Sequence, residues 1–372
     1  MGEDIELMMP KPAGMKSMRA LKAEGYADYL YRHGVLTLAQ LEGLTRTDDM
    51  ETIGRILRDS RYGKPYQHNT VLYQDGAWRR KNRMNCWMLT TDGERLVEQY
   101  LYPGVEQWGY SSGRIVRKLR QNTNRILLMN EMVVKVSEYD TDAWWVNVAY
   151  WLNGKGARTN PDLSKLWHER PNMMGVLEMK NMDIGVGLYS SGLQGLTMNL
   201  KRIFPKELDL LNSQFMPVLF LTQDVYERFL PALIKVRMER NDLVVLPYEY
   251  CLDHPDKLVH VLNGQREAVF QPLFARLSHD GWIVEKSDVG EPYTWRVRKN
   301  GIVEFIDGTF GTQLAHRYEI VLGDTGRTGP MQSGNRVLYV TSEREAQDVR
   351  AAIKRRYKGQ LKEPPELRVM DW

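Results

Sequence analysis

Between Tyr26 and Tyr100 the order of turns, caps and apolar spacing admits few folds: three short helices, then two strands joined by a basic hairpin. Tyr26 to His33 ends an amphipathic helix and Gly34 turns the chain. Thr37-Leu-Ala-Gln-Leu-Glu-Gly-Leu44 reads as a short helix with Thr37 as N-cap, its side-chain oxygen placed to accept from an orphaned backbone N–H. A third helix follows, capped by Asp48, with Ile53, Ile56 and Leu57 at helical spacing. That spacing leaves Arg55, Arg58, Arg61 and Lys64 on or just beyond its outward side. Two strand-like runs come next, Thr70-Val-Leu-Tyr73 and Cys86-Trp-Met-Leu89, joined by Asp75-Gly-Ala-Trp-Arg-Arg-Lys-Asn-Arg83, and Thr91-Asp-Gly-Glu-Arg-Leu-Val-Glu98 starts a closing helix.

These parts in this order are those of a winged helix-turn-helix, expected over residues 17–102. Double-stranded DNA is the expected partner, because phosphates attract Lys and Arg whatever the base sequence. Arg79, Arg80, Lys81 and Arg83 on the hairpin, with Trp78 beside them, supply the wing, and the cations of the third helix supply the reading element. Asp48, Asp49 and Glu51 suit the dipole at the start of that helix but would repel a phosphate. The competing use of such a module is docking to another protein, with the basic hairpin merely solvated.

A chain of 372 residues has room for two or three domains, and its 42% hydrophobic and 26% charged residues are those of a globular protein. The net charge of +4 makes nucleic-acid binding a matter of local patches. Cys86 and Cys251 lack Cys or His neighbours at ligand spacing, which argues against a disulfide framework or zinc site and fits a reducing cytoplasm. Met1-Gly-Glu-Asp-Ile-Glu6 is acidic where a signal peptide is basic, Glu6 disfavours myristoylation of Gly2, and no run approaches the roughly 20 apolar residues of a membrane helix.

Residues 1 to about 16 read as a loose leader, and the basic run Arg114, Arg117, Lys118, Arg120 leads into an α/β domain expected over 114–263. There Arg125 to Val134 reads as a buried helix and Ala143 to Leu152 as either a strand or a helix. Trp144, Trp145 and Trp151 read as core. Met174 to Lys180, Pro217 to Leu221 and Leu243 to Leu246 read as strands, and Leu193 to Ile203 and Val225 to Arg240 as helices, an alternation giving a sheet covered on both faces. Residues 264–372 form a third, C-terminal α/β region, read either as a degenerate repeat of the second or as strand-then-helix segments whose likeness is ordinary. Gly301-Ile-Val-Glu-Phe-Ile-Asp307 parallels Gly175-Val-Leu-Glu-Met-Lys-Asn181, with Ile306 in place of Lys180, and Arg336 to Thr341 parallels Pro217 to Thr222.

Asn160-Pro-Asp162 followed by Glu178-Met-Lys180 resembles the signature of the PD-(D/E)XK nuclease superfamily. Two carboxylates, Asp162 and Glu178, suit a Mg²⁺ that keeps most of its waters, and alternation along a strand puts Lys180 on the face of Glu178, placed to act on an attacking water. Glu131 on the preceding helix and Gln194 on the following one complete the catalytic set. The bland alternative is an Asp capping a turn and an ordinary Glu-Lys pair on a sheet. His168, His254 and His260 read as surface or satisfied core histidines. Tyr139, Tyr150 and Tyr189 have the hydroxyl of a DNA-joining nucleophile, but no relaxase-like His cluster accompanies them.

Leu89-Thr-Thr-Asp-Gly93 after the hairpin, the apolar helix, Pro-Asp, the strand with its Glu, and Leu219-Phe-Leu-Thr222 together resemble the plasmid replication-relaxation family over about residues 20–246. Glu178 is followed by Met179-Lys180 where members carry Asp-Arg, and Glu304-Phe-Ile-Asp-Gly-Thr309 is closer to the family's form. The resemblance implies an α+β protein with a restriction-endonuclease-like α/β domain, acting in replication or processing of plasmid or other mobile-element DNA. A homodimer or other proteins of the element would be partners. It leaves two activities open: a Mg²⁺-dependent deoxyribonuclease, or a non-enzymatic replication initiator or transcriptional regulator.

Overall fold

The computed structural model describes residues 18–101, 113–147, 173–179, 183–189, 215–226, 243–287, 293–307, 335–357 and 365–371 of a mixed α/β protein. The chain divides into two compact units, Met1–Val71 with Arg80–Leu127, and Leu72–Arg79 with Leu128–Trp372.

In the first unit α1 (Met18–His33) buries Ala23, Tyr26, Ala27 and Leu30 along one face. Gly34, at φ 79°, ends it in the left-handed conformation that only glycine adopts cheaply, its N–H bonded to the Leu30 carbonyl at 2.9 Å. Thr37 and Gln40 make a reciprocal capping box at the start of α2 (Leu38–Thr45), with bonds of 3.1 and 3.2 Å. The cap of α3 (Met50–Ser60) is Asp49, which accepts from the Thr52 N–H at 2.8 Å, and not the expected Asp48. Asp48 points instead to α1, where Lys22 and the Tyr26 hydroxyl both bind its carboxylate.

The two strands are longer than expected. β1 (Gly63–Gln74) and β2 (Ala77–Leu89) run to a two-residue turn, Asp75-Gly76, with φ of 50° and 73°. Positive φ at both positions is the turn whose twist matches paired strands, so Ala77 to Arg83, expected in the loop, continue the ladder. Arg83, at φ 52°, interrupts it, with its N–H on Asn69 Oδ1 at 2.9 Å. Leu36 pairs through both backbone groups with the buried Trp87 and so joins the hairpin base to the helices. Thr90 caps α4 (Thr91–Leu96) and donates to the Arg61 carbonyl at 2.6 Å, while α5 (Gly113–Gln121) follows and the boundary between units falls within α6 (Thr123–Tyr139).

The second unit contains two five-stranded sheets, the first from strands within 114–263 and the second from strands within 264–372. The first has the order β3 (Trp144–Asn147), β4 (Met173–Glu178), β5 (Asp183–Tyr189), β6 (Phe215–Leu221), β7 (Val244–Pro247). β4 runs antiparallel to both of its neighbours, β3 and β5, and β5, β6 and β7 are parallel. Met216 to Leu221 are all buried, as a strand covered on both faces must be, and Pro217 lies before the ladder to β7 begins at Val218. Then come α7 (Tyr248–Asp253), α8 (Pro255–Leu262) and α9 (Gln271–His279).

The second sheet follows the same plan: β8 (Ile283–Lys286), β9 (Trp295–Lys299) and β10 (Ile302–Ile306) antiparallel, then β11 (Asn335–Val340), α10 (Glu343–Tyr357) and β12 (Glu366–Val369), with β10, β11 and β12 parallel. Strand order thus matches β11 with β6, as the two Val-Leu sequences suggest. It matches β10 with β5 and not with β4, so the likeness between Gly301–Asp307 and Gly175–Asn181 joins strands in different places. Followed through the ladders from the β6/β11 match, Arg298 occupies the position of Glu178, and Ile306 that of Val186.

Candidate nucleic-acid interface

The buried side of α3 consists of Ile53, Gly54, Ile56 and Leu57, and at 3.6 residues per turn Glu51, Arg55 and Arg58 lie together on the opposite side. All three are exposed, as are Arg61 just past the helix and Lys64 at the start of β1. On β2 Arg80 and Arg83 are exposed and Lys81 half-exposed. Among the described residues none of these seven cations forms an ion pair. Arg79 differs: Asp75 lies 3.5 Å from its guanidinium, and it belongs to the hairpin segment grouped with the second unit.

The acids around α3 are mostly committed elsewhere. Lys22, with Tyr26, holds the Asp48 carboxyl below its ordinary range, and burial together with Asp48 pushes the Tyr26 phenol up. The Thr52 backbone N–H does the same for Asp49, and Asp59 pairs with Arg19. The charge of Asp48 is thus met by Lys22, while exposed Asp49 is held by the start of α3, and among the described residues Glu51 is the one of the three whose exposed carboxylate has no such partner.

The two aromatic residues of the hairpin tip are engaged within the second unit. Trp78 donates from Nε1 to Glu249 at 2.8 Å and stacks on Tyr248 at 6.1 Å, while Tyr73 donates to Asp253 at 2.7 Å. Glu249 also accepts from the Gln223 backbone N–H at 2.5 Å. The sequence carries no periodic signal for this cluster, because its members lie far apart along the chain.

Of the nuclease-like set, Glu131 is half-buried on α6 and Glu178 is half-buried at the end of β4, opposite Trp144 on β3 and Asp183 on β5. Asp162, Lys180 and Gln194 lie outside the described residues. β4 ends at Glu178, so the strand that was to carry both Glu178 and Lys180 is described only to the first of them. Trp145 is core, as expected, but Trp144 is 41% exposed. Among the described residues no group of three or more His, Cys, Asp or Glu is placed to hold a metal ion, and no helix is long and apolar enough to cross a membrane.

In the second sheet Arg368 grips Glu304 with two bonds of 2.9 and 3.0 Å and also binds Glu366. Burying a carboxylate requires such a partner. This charge cluster was not legible from spacing. No protein-family model, curated protein or solved structure matches the chain.

Proposed function

We propose that residues 17–102 form a winged helix-turn-helix that binds duplex DNA, with α3 as its groove element and β1–β2 as its wing. One observation carries this reading: Arg55, Arg58, Arg61, Lys64, Arg80, Lys81 and Arg83 are accessible cations, without ion pairs among the described residues, on or beside the two elements that such a module uses. Unpaired surface cations repel one another and gain little from folding, whereas polyanion binding releases the counterions condensed on it. Fluorescence anisotropy with a labelled duplex tests the reading. Affinity that falls steeply with salt supports it, and no binding at low salt overturns it.

A second reading concerns the α/β half as a Mg²⁺-dependent deoxyribonuclease of a plasmid or other mobile element. It is supported by the succession of Glu131 on α6 and Glu178 at the half-buried end of β4, the order that the PD-(D/E)XK resemblance implies. Asp162 and Glu178 would hold the ion, which would stabilise charge developing on the phosphate, and Lys180 would orient the water. Arg298 at the Glu178 position of the second sheet fits a copy without this chemistry. Supercoiled DNA incubated with Mg²⁺ and either the natural protein or Glu178→Ala separates the alternatives. Cleavage lost in the variant supports the nuclease. Inertness of both leaves a replication initiator or regulator that binds without cutting.

A further inference from the structure

We infer that Glu51 is a base-reading residue that accepts a hydrogen bond from a cytosine amino group in the major groove. The inference rests on the DNA-binding reading and adds sequence preference to it. Glu51, Arg55 and Arg58 fall within about 60° of one another around α3 at roughly 100° per residue, on its exposed side.

The disposition of neighbouring acids makes Glu51 unusual. Asp59 on the same helix is taken by Arg19, Asp48 by Lys22 and Tyr26, and Asp49 by the backbone it caps. Asp59 and Asp48 are thereby ion-paired, and Asp49 is held in place by the helix start. Glu51, whose charge suits the dipole in the first turn of α3, forms no ion pair among the described residues, although Arg55 stands one turn further on.

On a face that met only phosphates, an uncommitted carboxylate would weaken every encounter. Against base edges it has a use, since cytosine offers an N4 amino donor in the major groove and a carboxylate is purely an acceptor. Arg55, one turn on, is suited to the O6 and N7 acceptors of a guanine close by. The geometry therefore pairs an acceptor with a donor fork along one helix face, and the preferred site should contain a C·G pair near a G·C pair.

The experiment selects bound duplexes from a random library with the full-length protein, then measures the enriched site and single-pair replacements by anisotropy. We expect the natural protein to lose about ten-fold in affinity when the cytosine read by Glu51 is replaced. Glu51→Gln should abolish that preference or move it towards adenine, whose N6 and N7 suit an amide, while non-specific affinity stays equal or rises because a negative charge is gone. Higher affinity with unchanged base preference at every position overturns the inference, leaving Glu51 a peripheral charge. A natural protein that binds tightly but enriches no sequence also overturns it, with the phosphate-binding reading intact. Absence of any binding defeats both.

Discussion

Replacing Arg80 and Arg83 together by Ala should flatten the salt dependence of DNA binding by a calculable amount. If each of the seven unpaired cations on α3, β1 and β2 meets one phosphate, the slope of log K against log salt is about −6, at about −0.9 per neutralised phosphate. Five contacts give about −4.5. Raising salt four-fold should then weaken the natural protein by roughly 6,000-fold and the double variant by roughly 500-fold. At about 0.1 M salt the double variant should already bind about 60-fold more weakly, because each contact is worth nearly one power of ten relative to a 1 M reference. Arg79→Ala should change the slope less, since Asp75 partly offsets that charge. Both Arg80 and Arg83 are exposed, so Ala leaves the core intact. Anisotropy titrations across a salt series supply the slopes. An unchanged slope in the double variant would refute the placement of the hairpin cations on DNA.

Gly93 faces the Tyr62 carbonyl so closely that a Cβ would come within 2.5 Å of it, so Gly93→Ala should cost about 1–3 kcal/mol in urea unfolding. Arg368→Met strands Glu304, which is 7% exposed, and should cost about 3 kcal/mol, with Glu304→Gln in the same chain recovering part of it. Asp48 has a folded-state value below its unfolded one, so its contribution is complete above about pH 3.9 and is lost as pH falls through the lower folded value. Melting curves of Asp48→Asn and the natural protein should accordingly differ at neutral pH and converge in acid. Burial raises the Cys86 thiol to about 11 and the Cys251 thiol further, so neither should react with a thiol reagent at pH 8 until the protein is unfolded.

Local chemistry was the most legible part of the sequence. Thr37 with Gln40, Gly34, and Ile53, Ile56 and Leu57 each act through neighbours within a turn, and the helices they specify are present where expected. Asp48 and Asp49 show the limit: both can cap, and the choice is made by Lys22 and Tyr26 from another helix. The Asp75-Gly76 turn was hidden in a longer polar run because cationic residues on an exposed strand carry no apolar alternation. Matching Gly301 with Gly175 failed because a short apolar strand does not record which strands flank it; only the ladders do. Of the nuclease-like residues, Glu131 and Glu178 can be placed, on a helix and at a strand end.

Two sheets of one plan in a single polypeptide create a hazard of mistaken identity during folding, since a strand from one could be accepted by the other. Their chemistry differs where that matters. Glu304 stands where the first sheet has Ile184, and Arg368 where it has Leu246, both of them fully buried. A trespassing β12 would carry its guanidinium into an oily slot with no carboxylate across from it, and a trespassing β10 would strand an acid there. The ionic clasp would thus penalise either exchange, because each trespass buries a charge without its partner.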